Sequence, residues 1–238
     1  MAALGRYLGR GLATGAVGGV AFGLFVALVA DPLVAAAEAF ETDHGHGGGP
    51  VADSVASATS VLGGVVLGLL LGAVVFGLVF YVLEPAVPGR GVVPSYLLGV
   101  AGFVTVSGGP WLVFPPQPPG VEHALATDVR IAWYAAMMVA GALACGLAVA
   151  ASRRLGRRHS TLGLAGALAA LALVPAVAAL APANPVSGGP PADFVATYRV
   201  TVVAGQAGLW VALASTHAWL CRRDPDPPTA ADLAAAGD

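Results

Sequence analysis

The sequence predicts an all-α integral membrane protein, a bundle of about six transmembrane helices with the N- and C-termini cytoplasmic. Three observations carry that reading. The 238 residues are 57% hydrophobic and only 10% charged, against about 25% charged in a soluble domain. Six apolar stretches approach the length of about 20 residues that an α-helix needs to cross a hydrocarbon core of about 30 Å. The arginines alternate between the connections in the way the positive-inside rule expects.

The first stretch, 11–31, follows Arg6 and Arg10. A leader cut near Val34-Ala35-Ala36-Ala37 is the other reading of this region. The apolar run is long for the core of a signal peptide, so it reads as a retained span. Gly11, Gly15, Gly19 and Gly23 recur every four residues along it. The second stretch, 58–83, carries Gly64, Gly68 and Gly72 at the same spacing. Each set lies on one helix face, and two such faces let backbones approach closely in lipid. Helices one and two are therefore expected to pack through their glycines.

The third stretch, 92–113, holds Pro94, Gly108, Gly109 and Pro110, and a kinked or partly re-entrant course is expected there. The fourth, 131–151, contains Met137, Met138 and Cys145, read as apolar filling. The fifth, 161–181, is expected to bend at Pro175. The sixth, 199–220, carries His217 near its inner end, read as an imidazole at the membrane interface. Residues 1–223 form one transmembrane domain on this reading. The tail 224–238, rich in Asp, Pro and Ala, is expected to be a disordered cytoplasmic segment.

Arginine placement sets the orientation. With the N-terminus inside, Arg6, Arg10, Arg90, Arg153, Arg154, Arg157, Arg158, Arg222 and Arg223 are cytoplasmic. Only Arg130 and Arg199 fall outside. An error in one span would scramble this alternation.

That orientation puts segment 32–57 outside. It bears Glu38, Glu41, Asp43, His44 and His46 and has no basic residue. Imidazole and carboxylate together suit borderline divalent ions such as cobalt, nickel or zinc. His44-Gly45-His46 can turn two nitrogens towards one ion, with the glycine supplying the backbone freedom. The acidic excess raises the local cation concentration. A solvated acidic linker with incidental histidines is the plain alternative. The second external segment has Pro115, Pro116, Pro118 and Pro119, then Glu122, His123 and Asp128. Glu122 and His123 are candidates for the same cation path. Glu122 and Asp128 also suit the positive start of the next helix.

Several function classes are excluded or disfavoured. The chain contains no lysine, so it cannot hold a P-loop ATPase site. It has no Gly-x-Ser-x-Gly elbow and no His-Glu-x-x-His helix. No enzyme activity and no prosthetic group are expected. The formal charge of −2, with no basic stripe, points to no nucleic-acid partner. Two cysteines give no disulfide framework.

Four stretches, in order, carry a family resemblance. They are AEAFETDHGHG, GVAGFVTVSGGPWLVFPPQPPGVEHA, VRIAWYAAMMVAGALACGLA and LALVPAVAALAPANP. In this order they resemble the CbtA family of probable cobalt transporter subunits. The resemblance covers nearly the whole chain. It implies a multi-pass protein of the cell membrane that takes part in cobalt(II) uptake linked to cobalamin synthesis. It also implies a small single-span CbtB-like partner, and a homo-oligomer is a further expectation. Carried over by position, Glu38, Glu41, His44 and His46 are the loop residues it points to. The rival readings are a non-transporting membrane scaffold or assembly subunit, and a membrane-embedded enzyme with a buried polar pocket.

Overall fold

The computed structural model describes residues 2–42, 53–157 and 159–223. Six helical rods account for nearly all of them. The first, α1 (2–42), joins the α-helices Ala2–Phe25 and Asp31–Thr42 through a π-helical turn, Val26–Ala30. The second, α2 (53–86), runs from Asp53–Leu71 through a π-helical stretch, Gly72–Val79, and ends in a 3-10 turn, Glu84–Ala86. The third, α3 (93–111), has a π turn at Val104–Gly108. The fourth, α4, is Thr127–Gly156. The fifth, α5, spans Ser160–Ala178. The sixth, α6, is Ala192–Arg223. Two short strands, β1 (Glu122–His123) and β2 (Val186–Ser187), pair antiparallel.

Helices α1, α2, α4 and α6 overrun the expected spans, whereas α3 and α5 end short of theirs. The first does not stop at Asp31 but continues to Thr42, so Glu38 and Glu41 belong to a helix. The expected external segment 32–57 is thus helical at both its ends. Arg10 was expected to flank the first span, yet it lies inside α1 and is only 7% exposed. The third segment is helical from Val93 to Trp111, interrupted by the π turn at Val104–Gly108. The fifth breaks at Ala172. Pro175 has no N–H to give the Leu171 carbonyl one turn earlier, so the ladder is interrupted there.

Prolines also account for two of the π turns. Pro32 cannot donate to the carbonyl of Leu28. The turn before it widens, and Asp31 N–H bonds to Val26 O, five residues back. In α3, Pro110 follows a π turn closed by Gly109 N–H on Val104 O.

Four helices are long and apolar enough to cross a membrane: α1 (Leu4–Phe40), α2 (Ala58–Ala86), α4 and α5. The other two, α3 and α6, do not reach that apolarity. They carry Ser95, Ser107, Gln206 and His217.

Packing follows the small residues. A Cβ on Gly15 would lie 2.2 Å from the Gly68 carbonyl oxygen, and one on Gly72 2.2 Å from that of Gly11. Gly19 meets Gly64 and Gly23 meets Val61. The two glycine faces therefore touch in antiparallel register, as their spacing predicts. Elsewhere Gly18 receives Leu213, Gly205 receives the Phe25 ring, and Gly141 receives Thr105. The main core gathers Tyr7, Phe76, Phe80, Leu98, Leu209, Trp210 and Leu213 from α1, α2, α3 and α6. A second core joins Met137, Ala144 and Val174 of α4 and α5.

Candidate functional site

The polar residues of α3 and α6 face one another along a shared seam. Ser107, on the π turn of α3, donates its hydroxyl to Gln206 Oε1 at 3.2 Å. Further along, Ser95 Oγ and His217 Nδ1 are 2.9 Å apart. Both residues are enclosed, at 1% and 0% exposure. A third pair, Tyr96 Oη and Ser215 Oγ at 3.1 Å, lies on the exposed flank. Between the outer two levels the Trp210 indole lies on Gly102, where a Cβ would sit 2.1 Å from the ring. Trp210 is 3% exposed, and its Nε1 has no hydrogen-bond partner among the described residues.

His217 sits where four helices meet. Its ring stands against Phe80 at 4.7 Å and Phe76 at 5.2 Å, both from α2. Cys221, one turn on in α6, has its sulfur 3.8 Å from both ring nitrogens. Arg10 Nη1 reaches Cys221 Sγ at 4.0 Å. The Arg10 guanidinium also lies 5.9 Å from the Tyr7 ring centre. The Tyr7 hydroxyl donates to Glu84 Oε2, at the end of α2. On α1, Thr14 is fully buried, and its hydroxyl has no partner among the described residues. Thr14 lies midway between Arg10, which meets Cys221, and Gly18, which meets Leu213. The antiparallel register therefore sets it level with His217.

This cluster escapes a reading of the sequence alone. His217 is enclosed by the bundle, at 0% exposure. The signals available were its four-residue spacing from Cys221 and the low apolarity of α3 and α6. Which helices are neighbours decides the rest, and the sequence does not state that.

The opposite end carries a cap. Arg199 Nε donates to the Pro116 carbonyl at 3.2 Å, and the Phe40 and Phe194 rings meet edge to face. Glu122 is exposed and His123 half-buried on β1, so they project from opposite faces of the strand. Asn184 ties the cap together. Its Oδ1 accepts from Leu125 N–H at 3.1 Å, and its Nδ2 is 2.9 Å from His123 Nδ1. The first bond fixes the amide, so Nδ2 donates and Nδ1 accepts. Burial, then the nearby Arg130 guanidinium, hold the His123 imidazole below its ordinary pKa. In the neutral ring the proton then sits on Nε2. In this arrangement His123 holds the cap and presents no lone pair outward. A cleft of about 320 Å³ beside it is lined by Phe114, Pro115, Arg130 and Tyr134.

Of the loop residues, Glu38 is exposed on α1, and Glu41 lies in the same helix. Asp43, His44 and His46 fall outside the described residues. Among the described residues, no group of three or more His, Cys, Asp or Glu is placed to hold a metal ion.

The family model described as probable cobalt transporter subunit (CbtA) matches residues 4–222. No curated protein matches the chain. No solved structure matches it. The match spans all six helices, and apolar rods of membrane-crossing length fit a multi-pass protein. The chain therefore belongs to the CbtA family of probable cobalt transporter subunits.

Proposed function

We propose that this chain is the membrane subunit of a cobalt(II) uptake system, with six spans and both termini cytoplasmic. The observation that carries the reading is the family match over residues 4–222. The helix contacts support the topology. Tyr7–Glu84, Arg10–Cys221 and Arg153 to the Pro85 carbonyl gather at one end. Arg199–Pro116, Phe40–Phe194 and the β1–β2 pair gather at the other. The arginine-rich connections belong to the first end, which the positive-inside rule assigns to the cytoplasm.

On this reading the outer segment collects the ion through His44, His46, Asp43, Glu41 and Glu38. Exposed Glu122 adds negative charge to the same face, and His123 steadies the cap behind it. A small CbtB-like membrane subunit completes the system. Cobalt is cargo here, not a resident cofactor, and the chain carries out no covalent chemistry. The test is cobalt uptake by cells expressing the chain with its partner. His44→Ala/His46→Ala should lower uptake several-fold at low cobalt, and unchanged uptake would rule out capture by this loop.

A further inference from the structure

The seam between α3 and α6 has a use that its packing role leaves unexplained. Buried polar groups are costly in a bilayer and mark ion or substrate pathways. Here they are arranged in levels. Ser107 and Gln206 form one, Ser95 and His217 the next, and Cys221 lies one turn beyond. Ser95 and Ser107 are twelve residues apart on α3, about 18 Å at the helical rise, over half of the apolar core. Two donors beside this line find no partner among the described residues: Trp210 Nε1 between the two levels, and the Thr14 hydroxyl level with His217. An unsatisfied buried donor is destabilising, and packing alone gives no reason to retain it.

We propose that the α3–α6 seam is the path of the cation through the bundle, with His217 as its inner binding station. The idea rests on the cobalt-uptake reading and adds the route. A borderline divalent ion leaving water needs oxygen and imidazole ligands in succession. The seam supplies the Ser107 hydroxyl, the Gln206 carbonyl oxygen, the Ser95 hydroxyl and the His217 imidazole in that order. The Trp210 indole, seated on Gly102, separates the two levels, so the path is closed in this conformation and opens when the ring moves. The Arg10 guanidinium beside Cys221 opposes long residence of a cation at the inner station. Passage requires weak sites of this kind, since an ion must leave as well as enter. The extra residue in the π turn of α3 turns Ser107 towards α6, a placement typical of functional positions.

The test compares variants at matched membrane abundance, co-expressed with the partner subunit. Cobalt uptake is read for His217→Gln, Gln206→Leu and Ser107→Ala, with Ser215→Ala as a control on the exposed flank. The path predicts at least a tenfold loss for His217→Gln and Gln206→Leu, a smaller loss for Ser107→Ala and none for Ser215→Ala. Parental uptake by both His217→Gln and Gln206→Leu would overturn it. A second readout needs no cobalt. In a chain with Cys145→Ala and Cys221→Ser, a small water-soluble methanethiosulfonate should modify Ser107→Cys but not lipid-facing Val100→Cys. An inert Ser107→Cys would also overturn the path. If the parent chain takes up no cobalt, the uptake reading fails, and the thiol reaction still decides whether water reaches the seam.

Discussion

At the scale of single residues, His217 and His123 do different work. His217 is enclosed by Ser95, Phe76 and Phe80, whereas His123 is a latch on the cap at the opposite end. The latch has a pH signature. A folded-state pKa below the ordinary value means that the folded chain binds fewer protons there. The stability it contributes is present above about pH 6.5, the unfolded value, and is lost as pH falls through the lowered folded value. Thermal unfolding in detergent should therefore show a midpoint that drops on acidification, and His123→Gln should flatten that drop. Asn184→Ala removes two hydrogen bonds worth about 1 kcal/mol each. It should lower the midpoint by about 4–8 °C. A midpoint unchanged in Asn184→Ala would mean that the cap is not held there.

At the scale of elements, the glycine faces of α1 and α2 are the clearest case of sequence spelling out packing. Four-residue spacing alone puts Gly15 and Gly68 on faces that must meet closely, and they do. The contrast with the other side of the same helix is testable. Gly68 abuts the Gly19 backbone, while a Cβ on Gly63 meets nothing within 4 Å. Gly68→Leu should therefore cost about 3 kcal/mol or more by overpacking, and Gly63→Leu close to nothing. Equal unfolding curves for the two variants would contradict the helix pairing. Helix ends were less legible. Asp31-Pro32 reads as an exit from the membrane. Instead the Asp31 carboxylate accepts from Ser60 Oγ at 2.8 and 2.9 Å, and a π turn carries the helix past the proline. A polar residue satisfied by a neighbouring helix does not end a rod, and the partner is invisible in the sequence.

At the scale of the whole molecule, composition and arginine placement were enough to indicate a helical membrane bundle. The seam between α3 and α6 was not, because it depends on a partnership between residues about 100 positions apart. The same two helices are the ones not apolar enough to cross a membrane by composition, and polar side chains of each meet across the seam. Orientation can be checked with single cysteines and an impermeant thiol reagent on intact cells. A cysteine at Gln117 should react from outside, and one at Arg90 only after the membrane is opened. The reverse pattern would invert the topology and place the acidic histidine loop in the cytoplasm.

The central claim, that this CbtA-family chain serves cobalt uptake, is tested most directly by radioactive cobalt accumulation. Cells lacking their own high-affinity cobalt uptake would be compared with and without the chain and its small partner subunit, at cobalt concentrations that limit growth. The account predicts accumulation several-fold above the empty background, reduced by His44→Ala/His46→Ala. Accumulation equal to the background, with the chain present in the membrane, would contradict it.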